Sequence, residues 1–284
     1  MKRKNLRRHI IPFLMLICGT ANAQFLDEDY VPIDEAKFLV CYDLTYLEDT
    51  TASQFRNREQ MDLFIGDSLS LFISHNLYRN TLMKRQKQKE GLLDEWLQSE
   101  ESFSYLSRFK YRIFKNLKKQ KAKVTDYVFL TGYFQYEEDL DSFDWEIHDD
   151  TVSVNGFLCQ KATCRYGGRN WEAWFAEELP FGDGPYKFCG LPGLILQLRD
   201  TEKHYCFDFV SIEVASPEMK IEWELHDYAS TSKMQFFKVE DELRENIMSH
   251  FGTYCRMIKI VFSSVFSNLL GLRLSYIMKE CCKP

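Results

Sequence analysis

Glu218-Met219-Lys220-Ile221-Glu222-Trp223-Glu224-Leu225-His226 alternates without a break between charged and apolar residues. Successive side chains of a β-strand point to opposite faces, so Met219, Ile221, Trp223 and Leu225 share one face and the charged residues take the other. A strand apolar on one side only belongs to a sheet covered on one side, as antiparallel sheets commonly are. The same period of two recurs upstream over residues 38–46, then at Met61, Leu63 and Ile65, and again at Leu69, Leu71 and Ile73. Gly66-Asp67 separates the last two groups, which predicts a β-hairpin. Further strands are expected at residues 109–113, 127–136, 157–166, 170–176, 194–199 and 204–214.

Helical spacing appears twice. Residues 76–107 carry Leu82, Leu92, Leu93, Trp96 and Leu97 among many polar residues and are expected to be helical with a break near Gly91. Ser232 and Gln235 resemble a capping box, after which Phe236, Val239, Leu243, Ile247 and Phe251 recur at helical intervals before Gly252. The expected class is α+β, mainly β: a curved antiparallel sheet with a few packed helices, in outline similar to periplasmic lipoprotein carriers. An aromatic content of 15% suits such a sheet closing around a helix.

The amino terminus reads as a signal peptide spanning residues 1–23. Lys2, Arg3, Lys4, Arg7 and Arg8 precede an apolar run from Ile10 to Cys18, followed by Ala21-Asn22-Ala23. Cleavage is expected before Gln24. Lipid attachment at Cys18 is the rival, but it calls for a small residue before the cysteine, and Ile17 is large and branched. Residues 24–256 then form one domain, long enough for an apolar core without staples. Residues 257–284 form an apolar, helical tail in which Lys259 and Arg273 interrupt any uncharged run of the ~20 residues a bilayer crossing needs. No transmembrane segment is therefore expected after cleavage.

Eight of the nine cysteines lie after Ala23, and in an exported chain they meet an oxidising compartment. Cys159 and Cys164 have an odd separation and do not suit each other on one strand, so one of them is expected to join Cys189 or Cys206. No C-x-x-C pair is present, and His204-x-Cys206 is too little for a zinc site. Asp139-x-Asp141-x-x-Asp144 lacks the glycine and closing glutamate of a calcium loop, so no metal is assigned. The net charge is −6, but residues 79–123 hold thirteen Lys or Arg against five acids, and residues 126–150 hold nine acids and no Lys or Arg. Two solvated segments attracting each other explain this better than nucleic acid, which an exported protein rarely meets.

Leu179-Pro180-Phe181-Gly182-Asp183-Gly184-Pro185-Tyr186-Lys187-Phe188-Cys189-Gly190-Leu191-Pro192-Gly193 concentrates seven of the chain's twenty Pro and Gly residues. Such a composition describes a loop of defined shape, with Gly182, Gly184, Pro185, Gly190, Leu191, Pro192 and Gly193 as its structural determinants. Leu191 to Leu194 fits a type II turn, which would put Gly193 at positive φ.

Gly190-Leu191-Pro192-Gly193-Leu194-Ile195 resembles the hexapeptide that names the GLPGLI proteins of Bacteroidota. The likeness extends over residues 125–214, through the stretches 155–162, 168–175 and 184–188. It implies export, a periplasmic or outer-membrane-associated location and a compact β-rich domain, but it brings no established activity and no catalytic residues.

Arg169, Trp171, Glu172 and Trp174, just before the loop, and Tyr186 and Lys187 within it, are the candidate binding residues. On a strand, Arg169, Trp171, Ala173 and Phe175 share one face, and Glu172 and Trp174 the other. The bland alternative packs both indoles and pairs Arg169 with Glu172 or Glu177. Common nucleophile, zinc, phosphate and dinucleotide motifs are absent. No cofactor is implied. The expected role is noncatalytic binding of an apolar or peptide-like envelope ligand or a partner protein; the alternative is a hydrolase of envelope polymers.

Overall fold

The computed structural model describes residues 29–47, 56–128, 131–140 and 143–252. The expected signal peptide and the apolar tail lie outside them. In chain order the elements are β1 (Asp29–Leu47), β2 (Arg56–Gly66), β3 (Ser70–Ser74), α1 (His75–Glu90), α2 (Leu93–Leu97), α3 (Glu100–Phe103), β4 (Arg112–Asn116), β5 (Lys121–Val128) and β6 (Gly132–Asp139). There follow β7 (Glu146–Val154), β8 (Phe157–Tyr166), β9 (Arg169–Ala176), β10 (Leu194–Asp200), β11 (Tyr205–Val214), β12 (Lys220–Leu225), β13 (Ala229–Ser230) and α4 (Lys233–Gly252).

The strands form one open sheet in the order β13-β6-β5-β4-β3-β2-β1-β11-β10-β9-β8-β7. All pairings are antiparallel except the two-residue contact of β13 with β6. The mainly β, α+β class is as the alternation implied. The sheet is open, however, and does not close around a helix.

Strand β1 is long enough to serve two neighbourhoods. Its first half pairs with β12, and its second half lies between β2 and β11. In that second half Val40, Tyr42, Leu44 and Tyr46 enter the main core with Met61, Leu63 and Phe72. Leu39 and Cys41 face the other way, joining Phe64, Leu71, Ile73 and Phe114 beneath Ile221 of β12. Period-two alternation thus supplies two cores from one strand because both faces are covered there.

Double coverage also corrects the reading of β12. Ile221 is fully buried, but so is nearly all of Glu224, whereas Leu225 is exposed. The Glu224 carboxylate lies against Arg112 and accepts the Tyr30 hydroxyl at 2.7 Å. His226 stands 3.1 Å from it and stacks on Tyr133. Alternation identifies the strand, and these partners bury Glu224 on its charged face.

The β2–β3 hairpin forms at Gly66 as expected, and Asp34 locks it by accepting the backbone N–H groups of Ser68 and Leu69 at 2.8 and 2.9 Å. Helix α1 ends at Gly91, which adopts φ 70°. The Ser232 hydroxyl receives the Gln235 N–H at 3.2 Å at the start of α4. Residues 127–136 are not one strand: Thr131 N–H returns to Val128 O, and Gly132 at φ 116° opens β6. This hairpin places Lys121 and Lys123 opposite Asp139 and Glu137, so the basic and acidic segments do pair here. Strand β7, exposed along most of its length, carries too little apolar alternation to be read from sequence.

The expected disulfide is not formed. Cys41, Cys159, Cys164, Cys189 and Cys206 are all free thiols. Cys164 lies opposite Trp171 in the β8–β9 ladder, Cys206 opposite Arg199 in the β10–β11 ladder, and Cys189 near Lys115 and Asp183. Each thiol is lodged at a different place in the packing.

Candidate functional site

The loop between β9 and β10 does not project into solvent. Asp183, Gly184, Pro185, Tyr186, Lys187, Phe188 and Cys189 are buried consecutively. Its backbone is tied to itself by Gly190 N–H to Gly182 O at 2.9 Å and Phe188 N–H to Pro185 O at 3.2 Å. It is tied to its exit strand by Ile195 N–H to Asp183 O at 3.0 Å. Left-handed backbone occurs at Gly182 (φ 56°), Tyr186 (φ 55°) and Gly190 (φ 92°).

The type II turn at Leu191 to Leu194 is a correction. Gly193 lies outside the left-handed region, and Leu194 N–H donates to Leu179 O at 2.8 Å rather than across the turn. Gly193 is required for another reason: a Cβ there would stand 2.0 Å from Ala176 O and 2.4 Å from its carbonyl carbon. Pro192, by contrast, is exposed, and Leu191 is core.

Aromatic and ionic contacts hold this loop against several strands. Phe188 packs on Trp171, Phe143 and Tyr166, and Tyr186 meets Tyr111. Lys187, fully buried, pairs with Glu138 of β6 and approaches Tyr136 OH at 3.3 Å. Glu138 also receives Lys233 of α4 at 2.8 Å. Lys115 of β4 reaches Asp183 and Gly184 O, the latter at 2.6 Å. Tyr186 and Lys187 therefore bind the protein itself.

The residues preceding the loop divide by face as strand geometry requires. Trp171, Ala173 and Phe175 are core, whereas Glu172 and Trp174 are half-buried on the opposite side. Arg169 does not pair with Glu172 or Glu177. It donates to Asp200 at 2.8 Å and contacts His204 Nδ1 at 2.7 Å, because the strand ends of β9, β10 and β11 converge there. Asp200, Glu202 and His204 bring ligand-type atoms within 4.8 Å of one another, but the Arg169 guanidinium stands among them, and a cation would face that fixed positive charge. Of the Asp139, Asp141 and Asp144 group, Asp141 lies outside the described residues, and Asp139 pairs with Lys121.

On the open side, Glu172 accepts the Trp174 indole N–H at 3.1 Å and pairs with Lys161 at 2.9 Å. The Lys161 ammonium also lies 5.9 Å from the Trp174 ring. Burial alone would raise the Glu172 carboxyl, but hydrogen bonds from Lys161 and Trp174 outweigh it and hold the pKa low. Gln197, Arg199 and Asp208 form a second polar group on β10 and β11: Gln197 donates to Asp208 at 3.2 Å and Arg199 to Gln197 at 2.9 Å. Lys161 was not singled out from sequence; its signal is the register pairing with Trp174.

Burial pushes the thiols of Cys159 and Cys189 up to about 11 and that of Cys164 to about 12, which keeps them protonated and poorly nucleophilic. A separate polar cluster gathers around Glu59, whose carboxylate accepts the Ser74 and Ser107 hydroxyls. Burial outweighs these bonds and raises its pKa, and burial also pushes Lys110 nearby down to about 8. A carboxyl raised on folding contributes most below its unfolded value near 4.5 and loses that contribution as pH rises through the folded value. Glu59→Gln keeps an acceptor for both serines, so it should raise the urea midpoint at pH 7 by the equivalent of about 0.5–1 kcal/mol. The gain should shrink below pH 4.5; an equal loss at both pH values would contradict the raised pKa.

These features define a mainly β protein with a buried Gly-Pro loop and a polar open face. Residues 167–197, which include all of β9, the whole loop and the start of β10, match a family model described as Protein of unknown function (Porph_ging). No curated protein matches the chain. Among solved structures, two crystal forms of PNGF-II are similar at 13% and 12% identity, with TM-scores of 0.44 and 0.46. They cover 70% and 72% of this chain but only 31% and 32% of their own, so this chain spans about a third of their length.

Proposed function

We propose that this is an exported, noncatalytic envelope protein that binds a peptide-like ligand or partner protein through the open face of β8 and β9 around Trp174. The observation that carries this reading is the half-buried indole held by Glu172 beside Lys161, an aromatic platform with charged flanks. Such a group combines apolar contact area with fixed polar direction. The other candidates, Trp171, Arg169, Tyr186 and Lys187, are engaged inside the protein and position this strand and its neighbours.

The resemblance to GLPGLI proteins belongs to the same reading. The family-model match contains residues 190–195, and the basic, apolar and small-residue succession at the amino terminus supports export. Recovery from the periplasm or outer membrane, with Gln24 as first residue by mass spectrometry, is the expected result. A lipid on Cys18, or retention in the cytoplasm with residues 1–23 intact, would contradict it.

For binding, tryptophan fluorescence of the full chain titrated with a library of extended synthetic peptides should show saturable changes. Trp174→Ala should weaken them about tenfold or more, the loss expected of a central aromatic contact. Incubation with peptidoglycan tests the hydrolase alternative, and release of soluble fragments would replace this reading.

A further inference from the structure

Lys115 and Asp183 form a sealed unit where β4 meets the loop between β9 and β10. Both side chains are essentially inaccessible, as are Tyr42, Ile195 and Cys189. Asp183 Oδ1 receives the Lys115 ammonium and the Gly184 N–H, the latter at 2.7 Å. The ammonium also donates to Gly184 O at 2.6 Å. Asp183 Oδ2 has no hydrogen-bond partner among the described residues. A buried carboxylate oxygen left unpaired beside a buried ammonium is costly, and a covalent bond between the two groups would remove both charges.

We propose that Lys115 and Asp183 condense into an intramolecular isopeptide bond. One ammonium proton moves to the carboxyl group and ends on Oδ2, leaving a neutral amine and a carboxylic acid whose carbonyl oxygen is Oδ1. The amine lone pair forms the Nζ–Cγ bond, and the Cγ–Oδ2 bond breaks. Oδ2 leaves as water, carrying the transferred proton and a second proton from nitrogen. No oxidant, reductant or other reactant enters. Oδ1 remains as the amide oxygen and keeps the Gly184 N–H, while the one remaining Nζ–H keeps Gly184 O. The oxygen that departs is the one without a partner, and both buried charges disappear.

The neighbouring Lys187–Glu138 pair shows what distinguishes this site. Glu138 is shared with Lys233 and is partly exposed, and Lys187 also approaches Tyr136. There the carboxylate is stabilised as an anion by two cations; at Asp183 it has one. The product would join β4 to the loop between β9 and β10, closing the whole stretch from Lys115 to Asp183 into a covalent ring.

Intact mass of the denatured, reduced wild-type chain decides the matter without depending on any variant's folding. The mature protein should be lighter than its sequence by one water. Proteolysis should yield a branched peptide joining the Lys115 and Asp183 fragments. Lys115→Arg and Asp183→Ala should each return to the mass of their own sequence. A wild-type mass equal to the sequence, or a deficit that persists in Lys115→Arg, would overturn the proposal.

Discussion

Replacing Gly193 by alanine should destabilise the protein by about 3 kcal/mol, the upper end of what a group forced into a filled site usually costs. The added Cβ would meet Ala176 O at 2.0 Å, Ala176 C at 2.4 Å and Glu177 Cα at 2.8 Å. All three are backbone atoms, so no side-chain rotation relieves the collision. Relief requires the exit of the loop to move away from the end of β9. That movement would strain the Leu194 N–H to Leu179 O bond and the Leu194–Ala176 pairing that starts β10.

Valine at the same position should be scarcely worse than alanine, because the first carbon already collides. Gly190→Ala provides the contrast: nothing lies within 4 Å of the added carbon, and only the φ of 92° opposes it. Its cost should be about 1–2 kcal/mol, the penalty for a side chain in left-handed backbone. Urea unfolding of the three variants separates these causes. An unchanged midpoint for Gly193→Ala would mean that the loop parts from β9 without loss, contrary to the packing described.

The contrast between these two glycines shows what was legible in the sequence. The composition of residues 179–193 identified a loop of fixed shape, and the order Leu-Pro-Gly-Leu pointed to a local turn. Composition carries no information about which backbone lies across from Gly193, so a requirement for space leaves the same trace in sequence as a requirement for φ. Trp171 and Trp174 separated correctly by strand parity, since that property is local. The partners of Arg169 did not, because Asp200 and His204 come from the ends of two other strands. Lys115 and Glu138 sit in the basic and acidic segments and looked like surface charge. Only the path of the sheet brings them to the buried loop.

Glu138 is where this concealed charge should have its largest effect. It faces Lys187 from the loop and Lys233 from α4, with Tyr136 beside Lys187 and Tyr166 OH 3.5 Å from Lys233. Burial alone would raise its pKa, but the charges and hydrogen bonds of the two lysines outweigh burial and hold it below 4.5. A carboxyl lowered on folding contributes stability above its unfolded value, and loses it as pH falls through the folded value. Glu138→Gln should therefore cost about 3–5 kcal/mol at pH 7, because it leaves the buried Lys187 ammonium without its anion. The difference from wild type should narrow steadily below pH 4.5, as wild-type Glu138 itself takes up a proton. Lys233→Met, which removes the more exposed of the two cations, should cost less than Lys187→Met in the same assay. Denaturant unfolding from pH 3 to 7 gives all these quantities, and a Glu138→Gln deficit that stays constant across that range would mean the carboxylate acts through shape rather than charge.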